Sequence, residues 1–151
     1  MILDVSSDGE MKDLGAKLGA LLRGGEIIEL VGDVGAGKTT FTKGLARGMD
    51  IDEDVQSPSF TISRVYDTPN GLRLAHYDFY RLHNAGIMAD DLHETLGDPI
   101  TVTVIEWAEI VSGILPEDRL TLLISSTGDD ARRIEFKADG PTSNRLMEQL
   151  V

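Results

Sequence analysis

The chain has 151 residues, 41% of them hydrophobic, which is enough for one ordinary core and too little for a second catalytic domain. Fourteen Lys and Arg stand against 26 Asp and Glu, and the net charge of −12 disfavours direct binding of nucleic acid or of an anionic membrane surface. With no cysteine there is no disulfide framework and no cysteine zinc or redox site, the acidic start MILDVSSDGE does not read as a secretory signal, and no apolar run approaches the ~20 residues of a bilayer span, so a cytoplasmic protein is expected.

Ser7 and Glu10 have the spacing of a capping box, and Met11, Leu14, Leu18, Leu21 and Leu22 follow at helical intervals until Gly24 and Gly25. The pattern predicts an amphipathic helix packed on a sheet. EIIELV, residues 26–31, is short, rich in branched apolar residues and followed at once by a glycine loop, so it predicts a buried strand. A helix from Lys38 then carries Phe41, Leu45 and Met49 on its inner face despite the interior Gly44. The acidic stretch DIDEDVQSPS is a loop. FTISRVYD and LRLAHYD flank the turn signal Asn70-Gly71 and predict a β-hairpin. IMADDLHETLG reads as one or two helical turns, and ITVTVIE as another β-branched strand. RLTLLIS and RRIEFK predict a second hairpin, and a final helix after Pro141 carries Leu146, Met147 and Leu150. A single α/β domain over residues 1–151 with a sheet of mixed direction is expected, its strand order left open.

GDVGAGKTT, residues 32–40, fits G-x-x-x-x-G-K-[ST] between a strand and a helix. Such glycines let backbone N–H groups turn inward around phosphate oxygens, and the following helix adds the positive end of its dipole. Lys38 then bridges the outer phosphates of a nucleotide, and the Thr39 hydroxyl is a ligand for Mg²⁺. Hydrolysis also needs a carboxylate at a strand end. Asp78 closes LRLAHYD and Glu106 closes ITVTVIE; each equally reads as a solvated strand-end acid or as the partner of an arginine such as Arg81. Trp107, the one tryptophan, reads either as a neighbour of the nucleotide or as core and rim. His76 reads as structural, since nothing else makes a metal-ligand spacing with it.

The chain lacks the N-K-x-D and D-x-x-G elements of translational-type GTPases and the L-S-G-G-Q signature of transporter ATPases. A small-molecule kinase remains open, although no arginine-rich lid is evident. GDVGAGKTTFTKGLARGM, SPSFTI, HYDFYRL and IEWAE stand in the order and spacing of the bacterial TsaE (YjeE) family, which the chain resembles from its first helix to Glu109; the last third matches only in general character. That family is the ATPase of tRNA threonylcarbamoyladenosine (t6A) biosynthesis.

The resemblance implies a P-loop NTPase-like three-layer fold, with a mixed central sheet flanked by helices. It implies that Gly35, Ala36, Gly37, Lys38, Thr39 and Thr40 bind ATP, and that Thr39 and Glu106 hold Mg²⁺. Asp78 would serve as base or water-positioning acid, beside Lys38 and Glu106 in the catalytic set. Ser57, Ser59 and Thr61 would belong to a switch-like loop sensing the γ-phosphate, and Trp107 would lie near the nucleotide. One arginine of the Arg132-Arg133 pair would reach the nucleotide from a late strand. Three positions depart from the family's usual residues: Met11 replaces a threonine, Ser59 a threonine, and Ala108 a proline. Functionally, the resemblance implies an accessory ATPase, weak alone and stimulated by a TsaB-TsaD complex that it resets between turnovers, meeting tRNA only through that complex and no membrane. The rival readings are a small-molecule P-loop kinase and a nucleotide-gated binding module with negligible turnover.

Overall fold

The computed structural model describes residues 1–58, 61–84 and 86–151. Seven strands form one mixed sheet: β1 (Ile2–Val5), β2 (Ile27–Val31), β3 (Ser63–Asp67), β4 (Arg73–Asp78), β5 (Thr101–Glu106), β6 (Leu120–Ser126) and β7 (Arg132–Ala138), in spatial order β1-β7-β6-β2-β5-β4-β3. The inner strands β6, β2, β5 and β4 run parallel, while β3 and β7 pair antiparallel with their neighbours. Both expected hairpins form, β3 with β4 and β6 with β7. β5 is buried along its whole length, which is why ITVTVIE shows no polar alternation.

The helices α1 (Asp8–Gly19), α2 (Lys38–Gly48) and α4 (Pro141–Leu150) cover one face; Met11, Leu18, Phe41, Leu45, Leu146 and Leu150 pack there on Ile28, Leu30, Val104 and Leu122. The other face, under β2, β5 and β4, is covered by α3 (Ile87–Leu96) and a 3₁₀ helix (Ala108–Ile114), where Leu92 and Val111 meet Tyr77, Phe79 and Ile105. This makes three layers. The Tyr77 hydroxyl ties α3 to the sheet, donating to Asp91 Oδ2 (2.6 Å) and lying 2.7 Å from Thr95 Oγ1. Burial and the Asp91 contact push that phenol above its usual range.

α1 ends at Gly19, earlier than Leu21 and Leu22 imply; those residues lie on a closing turn, with Leu21 N–H bonded to Leu18 O and Leu22 N–H to Gly19 O. α3 runs for ten residues, longer than one or two turns, because Leu92 gains a buried seat under it. β1 carries no sequence signal of its own; its four residues are ordered as an edge strand by pairing with β7.

α1 and α2 pack backbone to backbone. A Cβ on Gly44 would come 2.1 Å from the Lys12 carbonyl oxygen, and one on Gly15 would come 2.3 Å from that of Phe41. The interior glycine of α2 therefore places the phosphate-loop helix against α1 at a separation no larger residue permits.

Candidate functional site

The C-terminal ends of the parallel strands meet on one side of the sheet, where an open α/β sheet forms its ligand crevice. β2 stops at Val31, the loop 32–37 follows, and α2 begins at Lys38. Gly35 and Gly37 adopt φ of 83° and 109°, left-handed values that a side chain disfavours. The pairing register sets Glu106 beside Leu30 on one side and Asp78 on the other. The phosphate-type loop and both candidate carboxylates therefore end up adjacent.

They line one cleft of about 330 Å³. Of the residues singled out in the sequence, Gly35, Gly37, Lys38, Thr39, Thr40, Ser57, Asp78, Glu106 and Trp107 line it, together with Val34, Tyr80 and Arg81. Ala36 does not; its side chain is buried on the far side of the loop, against a second hollow that Ser125 and Ser126 share. Thr61 also lies outside the cleft lining, and its hydroxyl donates to Pro58 O at 3.4 Å. Ser59 falls outside the described residues.

Lys38 is almost fully buried. Its ammonium donates to the carbonyls of Gly32 and, at 3.3 Å, Asp33, and sits 4.4 Å from the centroid of the Trp107 ring. Trp107 holds a left-handed backbone (φ 56°), rare for a bulky residue and usually kept where the surroundings enforce it. Tyr80 packs on the same indole with centroids 4.7 Å apart. Trp107 thus stands at the rim of the cleft rather than in the core.

Asp78 and Glu106 are each 3% exposed, so neither is a solvated strand-end acid. An Asp78 oxygen accepts the Tyr80 N–H at 2.9 Å, and Glu106 Oε2 lies 2.6 Å from His76 Nε2. His76 is fully buried outside the cleft lining, as a structural residue would be, and its contact with Glu106 is one the sequence reading did not anticipate. The usable signal was strand periodicity, since residues i and i+2 share a face, which places His76 beneath Asp78 on β4. Thr39 and Glu106 offer oxygen donors of the kind that suits a hard cation, with Asp78 in the same cleft. Among the described residues no group of three or more His, Cys, Asp or Glu forms a metal cage. Such a sparse set matches Mg²⁺, which keeps most of its own waters and is completed by phosphate.

The two arginines of β7 part company. Arg132 turns to the loop, its Nε donating to Ala36 O at 2.9 Å and a terminal nitrogen to Gly35 O at 3.4 Å, while it also binds the carbonyls of Asp129 and Ala131 in the β6–β7 turn. Arg133 points to the opposite sheet face and pairs with Asp4 at 2.9 Å. That hydrogen bond holds the Asp4 carboxyl below its ordinary range.

Comparison with known proteins decides the family. The family model described as "Threonylcarbamoyl adenosine biosynthesis protein TsaE" matches residues 5–134. The chain belongs to the TsaE family. The tRNA threonylcarbamoyladenosine biosynthesis protein TsaE of Bacillus subtilis is 38% identical, over 93% of this chain and 87% of that protein. The TsaE of Streptomyces coelicolor is 40% identical, over 82% and 87%. The crystal structure of Bacillus subtilis YdiB superposes with a TM-score of 0.81 at 36% identity, covering 99% of this chain and 93% of that one. The TsaE match runs beyond Glu109, where the motif resemblance stops, and takes in β6 and Arg132. The family role is in threonylcarbamoyladenosine biosynthesis.

Proposed function

We propose that the chain is a Mg²⁺-dependent ATP-binding and ATP-hydrolysing accessory subunit of the tRNA t6A modification machinery, acting on a TsaB-TsaD complex. The observation that carries this reading is the convergence of Lys38, Thr39, Asp78 and Glu106 on one cleft at the C-terminal edge of the parallel strands. Mg²⁺-ATP, when bound, supplies the labile γ-phosphoryl group and the metal charge that neutralises it.

The residues then divide the work. Backbone N–H groups of the loop and the α2 N-terminus accommodate phosphate charge, and the Lys38 ammonium, held above the loop by carbonyls that are easily exchanged for phosphate oxygens, neutralises it. Thr39 and Glu106 serve as the protein ligands of Mg²⁺. Asp78, fixed by the Tyr80 N–H, orients the attacking water and takes its proton. The Trp107 and Tyr80 rings wall one side of the cleft.

The net charge of −12 supports docking on a basic protein surface in preference to tRNA itself. No described helix is long and apolar enough to cross a membrane. The test is phosphate release from Mg²⁺-ATP by the protein alone and with purified TsaB-TsaD. Stimulation by the pair is expected, with a loss of about 100-fold or more in Asp78→Ala and a comparable loss in Glu106→Ala. Tight ATP binding with no release in either condition would overturn hydrolysis and leave a nucleotide-gated binding module, and phosphate transfer to a small acceptor would identify a kinase.

A further inference from the structure

His76 is completely buried on β4 and has a single polar partner among the described residues, Glu106, at 2.6 Å. Its other ring nitrogen, Nδ1, is buried with no partner among them. A buried N–H without an acceptor is costlier than a bare lone pair on an imidazole nitrogen. The ring proton therefore belongs on Nε2, where it is donated to Glu106, and Nδ1 stays unprotonated.

The consequence falls on the carboxylate. With Oε2 occupied by a donor from inside the sheet, Oε1 is the oxygen left for the cleft that Glu106 lines. The pair is locked by backbone as well, because β4 and β5 run in parallel register from Arg73 and Thr101 through Asp78 and Glu106. Both side chains are buried. A carboxylate so held needs no reorganisation before it takes up a cation, which is how outer-shell hydrogen bonds raise metal affinity.

We infer that His76 is a positioning residue, one that orients Glu106 for Mg²⁺ through the Nε2–H to Oε2 hydrogen bond. The inference rests on the reading of Glu106 as a metal ligand. It assigns a role to the histidine two residues before Asp78 that composition and spacing leave blank.

The test measures ADP affinity by calorimetry, with Mg²⁺ and with a chelator, in the wild type, His76→Leu, His76→Gln and Glu106→Gln. His76→Leu fills the site without a donor, whereas Gln places an amide N–H near the Nε2 position. In His76→Leu the gain in affinity conferred by Mg²⁺ is expected to fall about 10- to 100-fold, with metal-free affinity unchanged. His76→Gln should restore most of it. Nitrogen-15 imidazole spectra should show the His76 proton on Nε2, shifted in Glu106→Gln. A His76→Leu protein that keeps the full Mg²⁺ gain overturns the inference, as does a loss of metal-free and metal-bound affinity together without rescue by Gln, or a proton found on Nδ1. Loss of the gain in Glu106→Gln alone leaves the metal reading intact and removes only His76 from it. A Glu106→Gln protein that keeps the gain overturns both.

Discussion

Arg132 and Arg133 are neighbours in sequence and differ completely in consequence, because successive strand residues point to opposite faces. The Arg132 guanidinium holds the Ala36 carbonyl through a 2.9 Å hydrogen bond from Nε. The Ala36–Gly37 peptide is trans, so fixing that carbonyl also fixes the opposed N–H of Gly37, a residue that lines the cleft. Arg132 is thus a brace for the phosphate-binding backbone. We expect Arg132→Gln to weaken ATP binding by about tenfold, roughly 1.4 kcal/mol, and Arg133→Gln to leave it unchanged, both read by calorimetric titration. Equal losses in the two variants would argue against the brace. The exposed Arg133–Asp4 pair is screened by water and lies outside the cleft lining. The motif spacing made Lys38, Thr39 and the glycines legible, while the choice between the arginines needed the β6–β7 pairing that aims one of them at the loop.

At the scale of elements, the α1–α2 contact and the start of α4 are the most constrained features. Alanine in place of Gly44 gains helix propensity worth about 1 kcal/mol. It also drives a methyl group to 2.1 Å from a backbone oxygen of α1, which cannot move aside cheaply. Overpacking of this kind costs about 1–3 kcal/mol or more, so Gly44→Ala should lower the thermal midpoint. Gly9→Ala, whose Cβ would find only Ser7 Oγ at 3.7 Å, should raise it.

The α4 N-terminus is held from outside the helix: Asp118 accepts the N–H groups of Thr142 (3.1 Å) and Ser143 (2.9 Å) and the Ser143 hydroxyl (2.9 Å). Gly140 leaves room for this, since a Cβ there would lie 2.5 Å from Asp118 Cγ. Partial burial acts to raise the Asp118 carboxyl, but the N–H donors of Ser143 and Thr142 outweigh it and hold the group below its usual range. A folded value below the unfolded one stabilises the protein above the unfolded value of about 3.9, and that contribution is lost as pH falls through the folded value. Asp118→Asn is therefore expected to cost about 1 kcal/mol at neutral pH, a deficit that narrows below about pH 4. Urea unfolding of both proteins across that range measures it, and a deficit independent of pH would show that the charge of Asp118 contributes nothing.

Taken whole, the molecule separates a strongly acidic exterior from a small cavity whose cations are Lys38 and Arg81. The sheet face of β1 and β7 away from α1 presents Asp4, Arg133, Glu135 and Lys137 to solvent, charges of both signs and no basic stripe. With a net charge of −12 the protein by itself should not retard tRNA in gel-shift assays even at low salt, about 50 mM, where counterion release is strongest. Retardation by the isolated chain would show a direct tRNA surface and remove the reason for routing tRNA contact through a partner.

The sequence by itself determined the strand-loop-helix of the phosphate loop, the two hairpins, the inner helix faces and the candidacy of Asp78, Glu106 and Trp107, because each is written in spacing within a few residues along the chain. The order of the strands, the edge strand β1, the union of Asp78 with Glu106 across 27 residues of intervening chain, the seating of His76 on Glu106 and the separate aims of Arg132 and Arg133 were decided by the tertiary structure alone. Those features depend on pairing register between strands distant in sequence. No local pattern encodes that register until the sheet is assembled.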